Sequence, residues 1–216
     1  METTPANSGD FFNFELLHPY PTQDSDLLKA LPFIPSLQEV LMLRQVHALE
    51  HATVWVLSEI SDSSAPNSLE VDNTTLGGLS TEKGFYLYGD VDYSHLRQAV
   101  RQALQRLQAG EWDLAIHPRC GTNVSVSLLL ALGLATGSSF FLPRNPLTQM
   151  LGLGLATVAA TQLAPDIGEM AQKYVTTSIP FNLVVRDIMP TSDLWGRSAH
   201  FVRVCWQDRS SGIPHS

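Results

Sequence analysis

Two short segments contain five side chains that could do chemistry together. His47-Ala48-Leu49-Glu50-His51 sets two imidazoles four residues apart. On a helix they stand one turn apart and project from the same side, so they can share one metal ion. Glu50 lies between them in sequence and can polarise a water on that metal. His117-Pro118-Arg119-Cys120-Gly121-Thr122 adds an imidazole and a thiol three residues apart. Cys120 opens an apolar run that reads as a helix, and a helix N-terminus favours the thiolate, which can hold a metal or act as a nucleophile. Each segment alone has a plainer reading. A histidine on an apolar helix is often a hydrogen-bonded core residue, and Pro118 followed by Gly121 and Thr122 is a turn that starts a helix. Together, His47, His51, His117 and Cys120 are four soft-to-borderline donors of the kind that suits zinc, with Glu50 beside them.

The elements around these residues set where they lie. Residues 1–35 read as a flexible arm closed by Pro32 and Pro35. Ser36 and Glu39 have capping-box spacing, which predicts a helix from there to about Ile60. That helix is apolar round much of its circumference, so it is buried or lies on a membrane surface. Residues 61–76 are a polar linker. Phe85 to Tyr88 reads as a strand, Asp92 as the N-cap of a helix over 93–109, and Trp112 to Ile116 as a second strand, giving a small β-α-β unit. Leu96, Val100, Leu104 and Leu107 make the apolar face of its helix. Near the C-terminus, strands are expected at Phe181–Arg186 and His200–Trp206, the latter with Val202 and Val204 facing inward. The tail over 208–216 reads as loose.

Between these parts the composition changes. Residues 120–165 carry one charged side chain, Arg144. Gly121 to Leu142 and Leu147 to Ala164 are uncharged runs separated by the turn Pro143-Arg144-Asn145-Pro146. Each is close to the length a helix needs to cross a hydrocarbon core of roughly 30 Å. The expected fold class is therefore α+β: a small β-α-β-containing cytosolic body over 36–120, a membrane-spanning helical hairpin over 121–164, and a return over 165–207 with a short helix and two strands. Gly133 and Gly137, and Gly152, Ala156 and Ala160, have the four-residue spacing that lets helices approach closely in lipid, between the two runs or toward a second copy as a homo-oligomer.

The first thirty residues lack a basic start and an apolar run, so the body is expected in the cytosol. Two crossings return the C-terminus to the same side, and Arg119 and Lys173 flank the inner ends against Arg144 at the tip. The lipid bilayer is the expected partner. A net charge of −8 without a basic stripe argues against nucleic acid. Cys120 and Cys205 are too few and too isolated for a disulfide scaffold, and free thiols in a reducing compartment are expected. Asp166, Glu169 and His95 read as solvated groups, and His200 and Cys205 as core or edge positions of a strand.

H-x-x-E-H-A over His47–Ala52, H-P-R-C-G-T over His117–Thr122 and the apolar hairpin resemble an uncharacterised family of small membrane proteins of cyanobacteria and related bacteria. Gly78-Leu79-Ser80-Thr81 and Gly84-Phe85 are similar to that family too. The resemblance spans about 36–206. The family is similar in turn to a broader group of bacterial membrane proteins, named as metal-dependent enzymes, with H-G-A-E-H and H-P-R-C-G-T; here Ala48-Leu49 stands in place of Gly-Ala. The resemblance implies a metal site at His47, His51, His117 and Cys120, with Glu50 beside it, and brings no established reaction. The H-x-x-E-H order is also that of the inverted zinc peptidases, whose glutamate is the general base. Three functions remain open: a zinc-dependent hydrolase or peptidase with Glu50 catalytic, a non-catalytic membrane module with a structural zinc, and a thiol enzyme with Cys120 as nucleophile.

Overall fold

The computed structural model describes residues 18–64, 76–143, 145–193 and 196–208. The expectations for the first half of the arm, most of the linker, Arg144 and the tail beyond 208 lie outside those residues. Among the described residues the architecture is α+β, with five α-helices and a four-stranded antiparallel sheet in the order β1-β2-β4-β3.

The second half of the expected arm is not loose. It holds helix α1 (Gln23–Ala30), whose Asp24 and Ser25 are buried. Asp24 Oδ2 accepts from Gln45 Nε2 at 2.5 Å, and Asn182 Nδ2 donates to Ser25 Oγ at 3.0 Å. A polar clasp of this kind leaves no apolar periodicity, which is why the sequence reads as an arm. Helix α2 (Leu37–Ser64) follows. Ser36 enters it with φ 57°, a left-handed conformation rather than the extended backbone of a capping residue. The helix is where the spacing places it, but without the expected cap geometry.

Strands β1 (Gly77–Thr81) and β2 (Gly84–Tyr88) form a tight hairpin with Thr81 opposite Gly84. Helix α3 (Tyr93–Gln108) starts as expected: Asp92 accepts from the amides of Ser94 and His95. Leu96, Val100 and Leu107 are buried against α2, and Leu104 is partly buried against the same core. The β-α-β reading fails after α3. Trp112–Ala115 is a 3-10 turn, not a strand. The carbonyls that a ladder would need are taken by side chains of α2: His51 Nδ1 bonds Ala115 O at 2.7 Å, and Trp55 Nε1 donates to Ile116 O at 2.9 Å.

The sheet is completed from the far end of the chain. Strand β3 (Leu183–Ser192) runs longer than expected and lies at an edge, where Pro190 removes no needed ladder donor. Strand β4 (Ser198–Trp206) sits between β3 and β2, with Val202 and Val204 buried as their alternation predicts. Phe85 and Leu87 of β2 join them against Val46, Leu49 and Val56 of α2 to form the core.

Helices α4 (Gly121–Phe141) and α5 (Pro146–Ala171) form an antiparallel pair, each long and apolar enough to cross a membrane. At about 1.5 Å per residue they measure roughly 31 and 39 Å. No residue of α4 is buried; Leu129 is 69% and Phe141 91% exposed. The seam is formed by Gly152, Ala156, Ala160, Ala164 and Gly168 of α5, all buried. A Cβ on Gly152 would overlap the Leu142 side chain, whereas a Cβ on Gly133 or Gly137 would meet nothing within 4 Å. Gly133 and Gly137 therefore do not bring the two helices together; the α5 row does. Helix α5 continues through Pro165 and ends in a π-helical turn over Gln172–Thr176.

Candidate metal centre

Helix α2, strand β1, the turn at 117–120, the start of α4 and the π turn meet at one cleft. His47 and His51 project from one face of α2 with ring centroids 4.3 Å apart. Each ring is oriented through Nδ1. His47 Nδ1 bonds the carbonyl of Thr176 at 3.0 Å, and His51 Nδ1 bonds that of Ala115 at 2.7 Å. A carbonyl can only accept, so both Nδ1 atoms carry a proton and Nε2 is the atom of each ring left to meet Cys120 or a metal. This is the tautomer that a metal-ligating histidine needs.

Cys120 comes from a distant part of the chain. It is the N-cap of α4, and its Sγ accepts the Thr122 amide at 3.3 Å. Sγ lies 3.2 Å from His47 Nε2. One nitrogen from each of His47 and His51 and the Cys120 sulfur lie within 4.8 Å of one another. Two imidazoles and a thiolate at that separation fit one tetrahedral ion with bonds of about 2.0–2.3 Å after small side-chain adjustments. Burial pushes the Cys120 thiol up, but hydrogen bonds from His47, His51 and Thr122 outweigh it and bring the pKa down to about 5. Burial likewise pushes His47 down, and its contact with Cys120 more than reverses that.

His117 borders the same cleft but is not one of this trio. Its ring centroid is 5.7 Å from that of His51, and its Nδ1 accepts the Arg119 amide at 3.3 Å. Burial, then the nearby charges of His51 and Arg119, hold its pKa down to about 4. Glu50 is buried in the cleft wall, and its Oε2 accepts from Ser80 Oγ at 2.5 Å. Burial is the chief cause of its raised pKa. Gly78 is opposite: a Cβ there would overlap the Glu50 carboxylate. The cleft holds about 630 Å³.

Several supporting residues carried little or no signal in the sequence. Gln172 is fully buried; its Oε1 accepts the His117 amide at 2.9 Å and its Nε2 donates to Asn123 Oδ1 at 2.8 Å. Asn123 also donates to Pro118 O at 2.8 Å, so the H-P-R-C turn is tied to the end of α5. Gly78 and Ser80 belong to a stretch notable only for resemblance, and their place against Glu50 depends on β1 crossing α2. Asp166 and Glu169 are exposed on α5 and outside the trio. His200 and Cys205 lie on β4; Cys205 Sγ accepts from Arg186 Nε at 2.8 Å.

The fold and these side chains define an α+β protein with an apolar helical hairpin and a His-His-Cys donor group. The chain belongs to the family described as a domain of unknown function, DUF6391, whose model matches residues 42–188. That span contains His47, Glu50, His51, His117 and Cys120. An uncharacterised protein of Picosynechococcus sp. (strain ATCC 27264 / PCC 7002 / PR-6) is 49% identical over 200 residues, covering 93% of this chain and 95% of the relative. No solved structure matches the chain.

Proposed function

We propose that this protein is a two-pass integral membrane protein, with both termini in the cytosol, that holds zinc at the foot of its hairpin and acts as a metal-dependent hydrolase, a peptidase by preference. The carrying observation is the convergence of His47, His51 and Cys120 within 4.8 Å in the cleft that also holds Glu50. Three protein donors leave a fourth position open, the pattern of catalytic rather than structural zinc. The tautomer of His117 supports this count, since an Nδ1 that accepts the Arg119 amide leaves the proton on Nε2. Zinc bound there would supply Lewis acidity and make an attacking water more acidic. Glu50 would take a proton from the attacking water and deliver it to the leaving nitrogen as the acyl bond breaks. Its burial raises its basicity above that of an ordinary carboxylate. Ser80 and Gly78 hold its carboxylate in place.

The membrane reading is supported by the unburied surface of α4 and by Arg119 and Lys173 near the body ends of the hairpin. Bilayer lipid is then the partner of the hairpin, and the acidic body has no basic stripe for nucleic acid.

The test is zinc analysis of protein purified in neutral detergent, with turnover of a fluorogenic membrane-segment peptide. Glu50→Gln is expected to keep stoichiometric zinc and lower turnover by about 10²-fold or more. Equal turnover by the variant defeats the reading. A second reading rests on His117 bordering the cleft: rotation toward the trio would close a four-ligand structural site. X-ray absorption on the zinc-loaded protein separates the two, since His117→Ala changes the coordination shell only in the second.

A further inference from the structure

Strand β1 is an edge of the sheet, with β2 as its one neighbour among the described residues. The register shows which of its backbone groups are free. Lys83 O accepts the Val204 amide, and the Gly89 amide donates to Ser198 O, so these two residues turn their backbone groups toward β4. Successive residues of a strand alternate, so Phe85 and Leu87 also face β4, and Gly84, Tyr86 and Tyr88 face β1. Their partners in β1 are Thr81, Leu79 and Gly77. The N–H and C=O groups of Gly78 and Ser80 therefore point away from β2, at the free edge.

The same two residues meet Glu50: Ser80 Oγ donates to its carboxylate, and a Cβ on Gly78 would overlap it. Residues 77–80 line the metal cleft, and Gly77, Gly78 and Leu79 are exposed. The opposite edge of the sheet is built differently. Strand β3 carries Arg186, Asp187 and Pro190, and its register breaks between Val185 and Asp187. Charge, proline and a bulge are devices that stop a further strand from pairing. Strand β1, Gly-Gly-Leu-Ser-Thr, has neither charge nor proline, and its register with β2 is unbroken. The sheet is thus blunted at its far edge and left open at the cleft.

We propose that the free edge of β1 binds the substrate as an added strand, so that the substrate class is a peptide segment in extended conformation. The inference rests on the peptidase reading above. A strand paired with Gly78 and Ser80 lies about 4.8 Å from β1, beside the carboxylate that those two residues hold. Backbone pairing gives it affinity whatever its side chains. A permanent occupant, such as a second copy of the chain, would cover the cleft that water and a scissile bond must enter. A substrate strand occupies it only for a turnover.

The probe is a fluorescent peptide of alternating valine and serine, made also with N-methyl groups at its odd or at its even positions. N-methylation removes an N–H, and in a paired strand only one parity of N–H faces β1. Binding to zinc-loaded Glu50→Gln, which keeps an oxygen for Ser80, is followed in neutral detergent by anisotropy and by hydrogen exchange of the Gly78 and Ser80 amides. Cleavage by wild type is followed by mass spectrometry. One parity is expected to weaken binding by roughly tenfold or more, and the other little. The peptide should slow exchange at Gly78 and Ser80, and leave Leu79, already bonded to β2, unchanged. Parity-dependent binding with no cleavage upholds the pairing and counts against the peptidase reading. Cleavage with equal losses for both parities does the reverse, and absence of binding overturns the pairing too. Slow exchange at Gly78 and Ser80 before peptide is added also overturns it: the edge then belongs to a second copy if the protection grows with protein concentration, and to the chain itself if it does not.

Discussion

Cys120 and His47 set the chemistry of the cleft at the residue scale. Cys120 Sγ and His47 Nε2 lie 3.2 Å apart, and that contact lowers the pKa of the thiol and raises that of the imidazole, so each favours the charged form of the other. The sign of the pH dependence follows from the cysteine, whose pKa falls from an ordinary 9.0 to about 5 on folding. Its contribution to stability is whole above the unfolded value, declines as pH drops, and is gone below about 5. Thiolate ultraviolet absorbance of the metal-free protein is therefore expected to persist to near pH 5 and to be absent at neutral pH once the chain is unfolded. Loss of the signal near 9 in the folded protein would mean that His47 does not contact the sulfur. Added zinc is expected to block alkylation of Cys120, which a thiol nucleophile with no metal would not require.

At the scale of elements, the seam between α4 and α5 is one-sided. The row from Gly152 to Gly168 is buried on α5, while Gly133 and Gly137 of α4 face open space. In lipid the force between helices is packing rather than water exclusion, so a side chain added at the seam has no relief. Gly152→Leu should destabilise the protein in detergent by about 1–3 kcal/mol, the usual cost of overpacking. Gly133→Leu should stay within about 0.5 kcal/mol. Thermal unfolding of the two variants side by side checks this; equal effects would place the contact elsewhere.

The whole molecule joins the body to the hairpin by its chemistry. Cys120 caps the first residue of α4, and Gln172, just beyond α5, carries the His117 amide and Asn123. Both ends of the hairpin thus meet the cleft of the His-His-Cys group, which places the body on one side of any membrane that the hairpin crosses. A fluorescent protein fused at the C-terminus should glow and an alkaline phosphatase fused there should be inactive, because the first matures in the cytosol and the second does not. A reporter in the turn at 143–146 should behave in the opposite way. Active phosphatase at the C-terminus would reverse the orientation.

The sequence by itself determined the elements whose forces are local or periodic. Capping by Asp92, the apolar face of α3, the two uncharged runs and the i, i+4 histidine pair depend on neighbours within a turn or two, so spacing is enough to read them. It also singled out His117 and Cys120, because a histidine and a cysteine at a helix start are chemically unusual. Tertiary structure decided what depends on who takes a backbone group. The segment at 112–116 has a strand's composition, yet His51 and Trp55 claim its carbonyls and it turns instead. The same contact uses His51 Nδ1, and so leaves Nε2 as the atom that can act in the cleft. Gln172, Ser80 and Gly78 matter only because remote segments cross there; polar burial has no period that a sequence can display.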